Sequence, residues 1–270
     1  TTSRFLWILF IFASWSYGVK CALSEMITGL KNYDEKYAKN IFLAGVSNYN
    51  LTDNGNQQKS NYSFLTWIKK NLPEKCIYLH NINGIDDTDH CQYVANPVPS
   101  FPYLKQKLKY IAWTIWLIFF SFYKILCGRW HYGFSLAEVV VAKKVDMIPI
   151  QFLPRSYYFT SSNMMKKPLW LDCFEAKGGE TKLFLYSINI QGFEDKNGSR
   201  PQYAVFRHMT WKNIFVWSKT QKEYLARLMK FSPNFHIIGQ VWFSDTDIQI
   251  QSSTIPRISY FDVSPKRKSW

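Results

Sequence analysis

Glycine is scarce in this sequence, 12 in 270 residues, and none stands in a G-x-G-x-x-G, G-x-x-x-x-G-K-[ST] or G-x-S-x-G arrangement. That argues against a self-contained dinucleotide or nucleoside triphosphate loop and against a hydrolase elbow. Acids are scarce as well: 19 Asp and Glu face 33 Lys and Arg, and the charged fraction is only 19%. The net charge of +14 therefore reflects missing carboxylates rather than a heavily charged surface. Five cysteines, Cys21, Cys76, Cys91, Cys127 and Cys173, are an odd number at irregular spacing. They do not make a disulfide framework and fit reduced thiols. There is no internal repeat, no low-complexity tract and no long block of like charge.

Aromatic residues are abundant: 21 Phe, 17 Tyr and 11 Trp within a 47% hydrophobic total. Such a chain can bury a large core, which excludes a disordered segment. The positive balance calls for anionic partners, whether membrane surface, phosphorylated small molecules or nucleic acid. Nucleic acid is not expected, because no RNP-like aromatic pair, basic helix or zinc module is present. The strongest apolar run, Tyr110 to Phe122, reaches about 13 residues, against roughly 20 for a bilayer span. Lys105, Lys107 and Lys109 precede it, and Lys124 and Arg129 follow. The run reads either as a helix lying among anionic headgroups or as a buried core helix. Arg4 with Phe5 to Ala13 has the outline of a signal peptide, yet no small-x-small cleavage site precedes Lys20.

The order of apolar runs gives three strand-helix-strand units. The first has strands at 41–46 and 76–80, with a turn at Asn54-Gly55-Asn56 and a helix near 62–71 stopped by Pro73. The second has strands at 157–160 and 182–187, and its helix opens at Pro168 and closes at Gly178-Gly179. The third has strands at 214–217 and 236–239 around a helix over 219–231, with Thr220 and Glu223 spaced as a capping box. Alternating strands and helices predict an α/β fold with a Rossmann-like, mostly parallel sheet. Residues 1–39 read as a helical amino-terminal segment that can face a membrane, and 40–250 as the Rossmann-like domain. An aromatic helical region is inserted at about 104–145, including a helix near 135–144. Gln251 to Pro256 reads as a linker, and Ile258 to Val263 as the first strand of a truncated second domain. The Thr1 start and the abrupt basic end lead to the expectation of a fragment.

Candidate chemistry follows from side-chain type and position. His80, Asp86, Asp87, Asp89, His90 and Cys91 are close in sequence, but none has metal-site spacing, and a solvated loop is the better reading. No metal is expected. Asp172 and Glu175 stand three apart on one helix face, either as a base with its orienting partner or as an ordinary solvated face. The helix start beside Lys166 and Lys167 could hold an anion. Tyr186, Ser187 and Asn189 follow a strand, where open parallel sheets gather ligands, and offer groups suited to sugar hydroxyls. His208 can serve as general base, while Arg207 and Lys212 beside it equally suit a phosphate.

The block Lys167-Pro168-Leu169-Trp170, Glu175, Gly178 and Phe184-Leu185-Tyr186-Ser187-Ile188-Asn189 resembles bacterial surface-polysaccharide biosynthesis proteins known by a PFTS motif. Phe215-Val216-Trp217-Ser218, His236-Ile237-Ile238-Gly239 and Tyr260-Phe261-Asp262-Val263-Ser264-Pro265 continue it in order. The resemblance implies the acceptor half of a two-domain glycosyltransferase of the GT-B type. Such an enzyme moves a sugar from a nucleotide-sugar donor to a glycan or lipid-linked acceptor at the cytoplasmic face of the inner membrane. It implies no cofactor in this half, the donor being expected in the missing one. Asn96 to Pro102 does not match Pro-Phe-Thr-Ser, which is therefore expected outside this chain. On this reading His208 or Glu175 activates the acceptor hydroxyl, Asp172 pairs with Glu175, Tyr186, Ser187 and Asn189 line the cleft with Trp170 as a further substrate contact, and Arg207 helps offset phosphate charge. Two alternatives stay open: a nucleotide-sugar epimerase of the same architecture, and a non-catalytic membrane-associated glycan-binding module.

Overall fold

The computed structural model describes residues 2–45, 64–71, 77–83, 91–160, 166–185 and 204–239. In chain order these form α1 (Thr2–Leu30), β1 (Ile41–Ala44), α2 (Phe64–Asn71), β2 (Tyr78–His80), β3 (Cys91–Tyr93), α3 (Leu104–Leu126) and α4 (His131–Met147). There follow β4 (Ser156–Phe159), α5 (Leu169–Ala176), β5 (Glu180–Phe184), α6 (Ala204–Arg207), β6 (Asn213–Val216), α7 (Lys219–Leu228) and β7 (Asn234–Ile237).

All seven strands are parallel, in the order β3-β2-β1-β4-β5-β6-β7. This is a Rossmann-like sheet whose chain direction of growth reverses between β1 and β4. The central strands are buried on both faces, as parallel strands with covered faces must be: Ile41 to Ala44 and Ser156 to Phe159 are buried throughout. On one face Phe42, Tyr157, Phe159, Leu183 and Ile214 pack under α4, α5, α6 and α7. On the other, Ile41, Leu43, Tyr158, Phe184 and Phe215 pack with Phe64, Trp67 and Ile68 of α2.

Several elements depart from the sequence reading. β3 was not expected; Cys91 is buried in a strand paired with β2 rather than placed in a loop. The expected apolar run is the middle of a 23-residue helix, because the flanking lysines are helical too. Lys107 does not reach toward headgroups. Its buried ammonium donates to Leu30 O at 3.3 Å and Lys31 O at 2.6 Å, closing the end of α1. α3 and α4 lie in the connection from β3 to β4, so the helical region inserted at 104–145 is the enlarged central crossover of the sheet. The capping box of α7 sits two residues earlier than expected. Ser218 Oγ accepts from Gln221 N at 3.2 Å, and Gln221 Oε1 accepts from Trp217 N at 2.8 Å. The turn at 54–56, the linker at 251–256 and the strand at 258–263 lie outside the described residues.

The stretch after β3 is clamped by two tyrosines. Tyr37 donates to Asn96 O at 2.6 Å, and Tyr157 donates to Pro97 O at 2.7 Å. Burial raises both phenol pKa values above the ordinary 10.0. A raised folded-state pKa contributes stability that is complete below pH 10 and declines as pH climbs beyond it. Urea midpoints should therefore fall above pH 10, and less steeply in Tyr157→Phe. That variant should lose about 1 kcal/mol at pH 8 through the missing hydrogen bond. An identical alkaline decline in the variant would assign it to other groups.

Candidate active site

Open parallel sheets bind ligands beyond the carboxyl ends of their strands, at the point where the order reverses. Here that point is the pair β1 and β4. β1 ends at Ala44 and is followed by Gly45, whose φ of 70° is a left-handed conformation that glycine adopts without strain. β4 ends in Thr160, a buried residue whose backbone N–H donates to Ala44 O at 3.3 Å and whose Oγ1 donates to Gly45 O at 3.1 Å. A side-chain hydroxyl thus ties the two departing chains together at the reversal. Along the same rim stand His80 at the end of β2, Leu185 after β5, and Trp217 with Ser218 after β6. His80 is fully buried, and its Nδ1 accepts from Ile82 N at 3.3 Å.

The sequence-derived candidates divide by position. Tyr186, Ser187 and Asn189, which follow β5 in the sequence, lie outside the described residues. So do Asp86, Asp87, Asp89 and His90; among the described residues no group of three His, Cys, Asp or Glu is placed to hold a metal. Trp170 is buried, its ring 4.8 Å from that of Tyr157, so it packs α5 onto β4. Arg207 and His208 are exposed at the opposite edge of the sheet. Arg207 O accepts from Lys230 N, in the turn that leads into β7.

Asp172 and Glu175 are brought together, but by a lysine. Lys167 runs along α5 with its side chain 2% exposed, pairing with Asp172 and, at 3.1 Å, with Glu175. Glu175 is 4% exposed and also meets Lys212 at 3.2 Å and accepts from Thr181 Oγ1. Thr181 and Lys212 belong to the amino ends of β5 and β6. Glu175 is therefore saturated with donors at the edge opposite the reversal. The expected anion at the start of α5 also has an internal answer. Glu138 of α4 accepts from Lys166 Nζ at 2.6 Å and from Leu169 N at 3.3 Å, occupying that helix terminus with the protein's own carboxylate.

The fold and this rim define a Rossmann-like α/β protein with its candidate site at the carboxyl edge of the sheet. The chain belongs to the family of polysaccharide biosynthesis PFTS motif proteins, which matches residues 115–270, more than half its length. No curated protein and no solved structure matches it. The family's name supplies a signal that reading 157–160 only as a strand conceals. Tyr158-Phe159-Thr160-Ser161 differs from Pro-Phe-Thr-Ser at its first residue alone. This likeness in sequence falls on the strand that carries Thr160 to the reversal point.

Proposed function

We propose that this polysaccharide-biosynthesis protein transfers a sugar from a nucleotide-sugar donor to a hydroxyl of a growing surface glycan or its lipid-linked precursor, at the cytoplasmic face of the inner membrane. In that reaction the acceptor oxygen bonds to the anomeric carbon, the bond from that carbon to the donor phosphate breaks, and the nucleotide leaves with the electron pair. The acceptor proton passes to a base. The observation that supports the reading most is the motif-like segment at the β1–β4 reversal of a family concerned with polysaccharide biosynthesis. This sheet would take the acceptor and a second Rossmann-like half the donor, as in GT-B enzymes. Thr160 orders the rim, and Tyr186, Ser187 and Asn189 carry hydroxyl and amide groups suited to a sugar. His208, Arg207 and Glu175 stand at the opposite edge, Asp172 is paired with Lys167 and Trp170 is packed on β4, and the proposal gives them no part in the chemistry.

The test is incubation of the purified protein, joined to its donor-binding half, with labelled nucleotide sugars and glycan acceptors extracted from membranes. Label in the glycan with stoichiometric nucleotide release is expected. Epimerised nucleotide sugar formed without acceptor, or glycan binding without turnover of any donor, would overturn the proposal. His208→Ala should keep activity within about twofold, whereas loss of a general base costs about 10²–10⁴-fold.

A further inference from the structure

α1, α3 and α4 run side by side, and their direction relative to the sheet is fixed by contacts at both ends. At the amino edge, Lys177, just past the end of α5, donates to Asp146 O and Ile148 O at the end of α4. At the carboxyl edge, Glu138 in the first half of α4 meets the start of α5. The part of α4 before Glu138 therefore rises past the carboxyl edge, and it takes its neighbours along. Trp7 stands 5.3 Å from Trp130 and 6.0 Å from Phe134, Phe12 stands 6.4 Å from Phe122, and Trp15 Nε1 donates to Ser121 Oγ at 3.0 Å. Gly18 and Gly133 allow this approach; a Cβ on Gly18 would stand 2.9 Å from Leu136 Cβ. The result is a three-helix finger projecting on the side of the candidate site.

The finger is apolar on the outside. Phe5 to Phe10 are six consecutive large apolar residues, all exposed, and Phe119, Tyr123 and Leu126 on α3 are exposed by 59–70%. A helix packed in a soluble protein hides one face; here even the faces turned away from the partner helices carry Phe, Leu and Trp. Phe5 to Val19 and Tyr110 to Tyr123 hold no charge. At 1.5 Å per residue these stretches are about 22 and 21 Å long. Arg4, Lys124 and Arg129 lie at the far end, and Lys20 and Lys109 at the near end, with no acid among the bracketing residues. Both α1 and α3 are long and apolar enough to cross a membrane by length and composition.

We propose that the finger enters a lipid bilayer end-on, so that the carboxyl edge of the sheet faces the headgroups and takes a lipid-linked acceptor. An apolar band of about 20 Å exceeds one leaflet of a core about 30 Å thick. Cationic ends would be costly at mid-bilayer, whereas lysine and arginine stems extend them toward both headgroup layers. Anionic lipid is the partner that matches two basic collars around an apolar band. The choice of a lipid-linked acceptor rests on the sugar-transfer reading; the insertion does not.

The protein is reconstituted with phosphatidylethanolamine and phosphatidylglycerol vesicles carrying bromines at defined acyl depths. Wild type should float with the vesicles, and acyl-chain bromines should quench its tryptophan emission, less so in Trp7→Phe/Trp116→Phe. Leu6→Asp, Leu9→Asp and Phe119→Asp are exposed in the fold, so together they should remove at least tenfold of vesicle binding with an unchanged circular dichroism spectrum. Ile237→Asp, on exposed β7, should bind as wild type. Binding that is unchanged in the triple variant, or that disappears in 0.5 M salt with no acyl quenching, would overturn the insertion. So would a lipid-free dimer that covers these residues and does not float. Insertion with equal transfer to soluble and lipid-linked acceptors would overturn the acceptor assignment alone, and insertion with no transfer would instead defeat the sugar-transfer reading.

Discussion

Replacing Glu175 by alanine is expected to destabilise the fold by about 2–4 kcal/mol and to leave the chemistry of the surviving folded protein intact. The carboxylate is buried and touches two ammonium groups and a threonine hydroxyl. Removing one member of a buried ion pair costs about 3–5 kcal/mol, because the other charge is left without compensation. Lys167 keeps Asp172, and Lys212 is half exposed and can return to water, so the cost falls about 1 kcal/mol below that range. Glu175→Gln preserves shape and an acceptor for Thr181, and should lose about half as much. Urea denaturation with an unchanged slope and a lowered midpoint would confirm the role. Unchanged stability with transfer reduced by two orders of magnitude would show that Glu175 acts on substrate after all.

This residue marks the boundary of what one sequence can reveal. Spacing placed Asp172 and Glu175 on one helix, but only the fold shows that Lys167 folds back along that helix between them. The three strand-helix-strand units were legible because each helix carries an apolar stripe and its own stop, such as Gly178 with φ of 88° after α5. Alternation then implies parallel strands. β3 was illegible because three residues, Cys91 to Tyr93, show no period; they become a strand only through pairing with β2. From sequence His208 reads as well placed because it lies near a predicted sheet edge beside Arg207. Parallel sheets, however, bind at the opposite ends, and the residue before a strand lies at the wrong edge. The finger was half legible. Its apolar content was visible, but its direction depends on Glu138 and Lys177, which pattern alone does not connect.

Thr160→Val is expected to lower transfer by about 10–100-fold while costing the fold about 1–2 kcal/mol. Valine is nearly isosteric and suits a strand end, so packing is kept and only the hydroxyl is lost. That hydroxyl donates to Gly45 O across the reversal, the one contact described there between the chains leaving β1 and β4 that a side chain supplies. Without it Gly45 O, beside a backbone already committed to φ of 70°, loses a donor. Gly45 and Thr160 can then shift relative to each other. A displacement of about 1 Å in a positioning element costs about 10²-fold in rate, which sets the upper bound. Thr160→Ser restores a donor and should recover most of the activity, a rescue that a purely packing role would not give. If binding of acceptor is what the contact secures, KM rises with little change in kcat; if it aligns the reacting groups, kcat falls. Equal activity of the valine and serine variants would detach the motif-like segment from the site, and with it the main support for sugar transfer at the β1–β4 reversal.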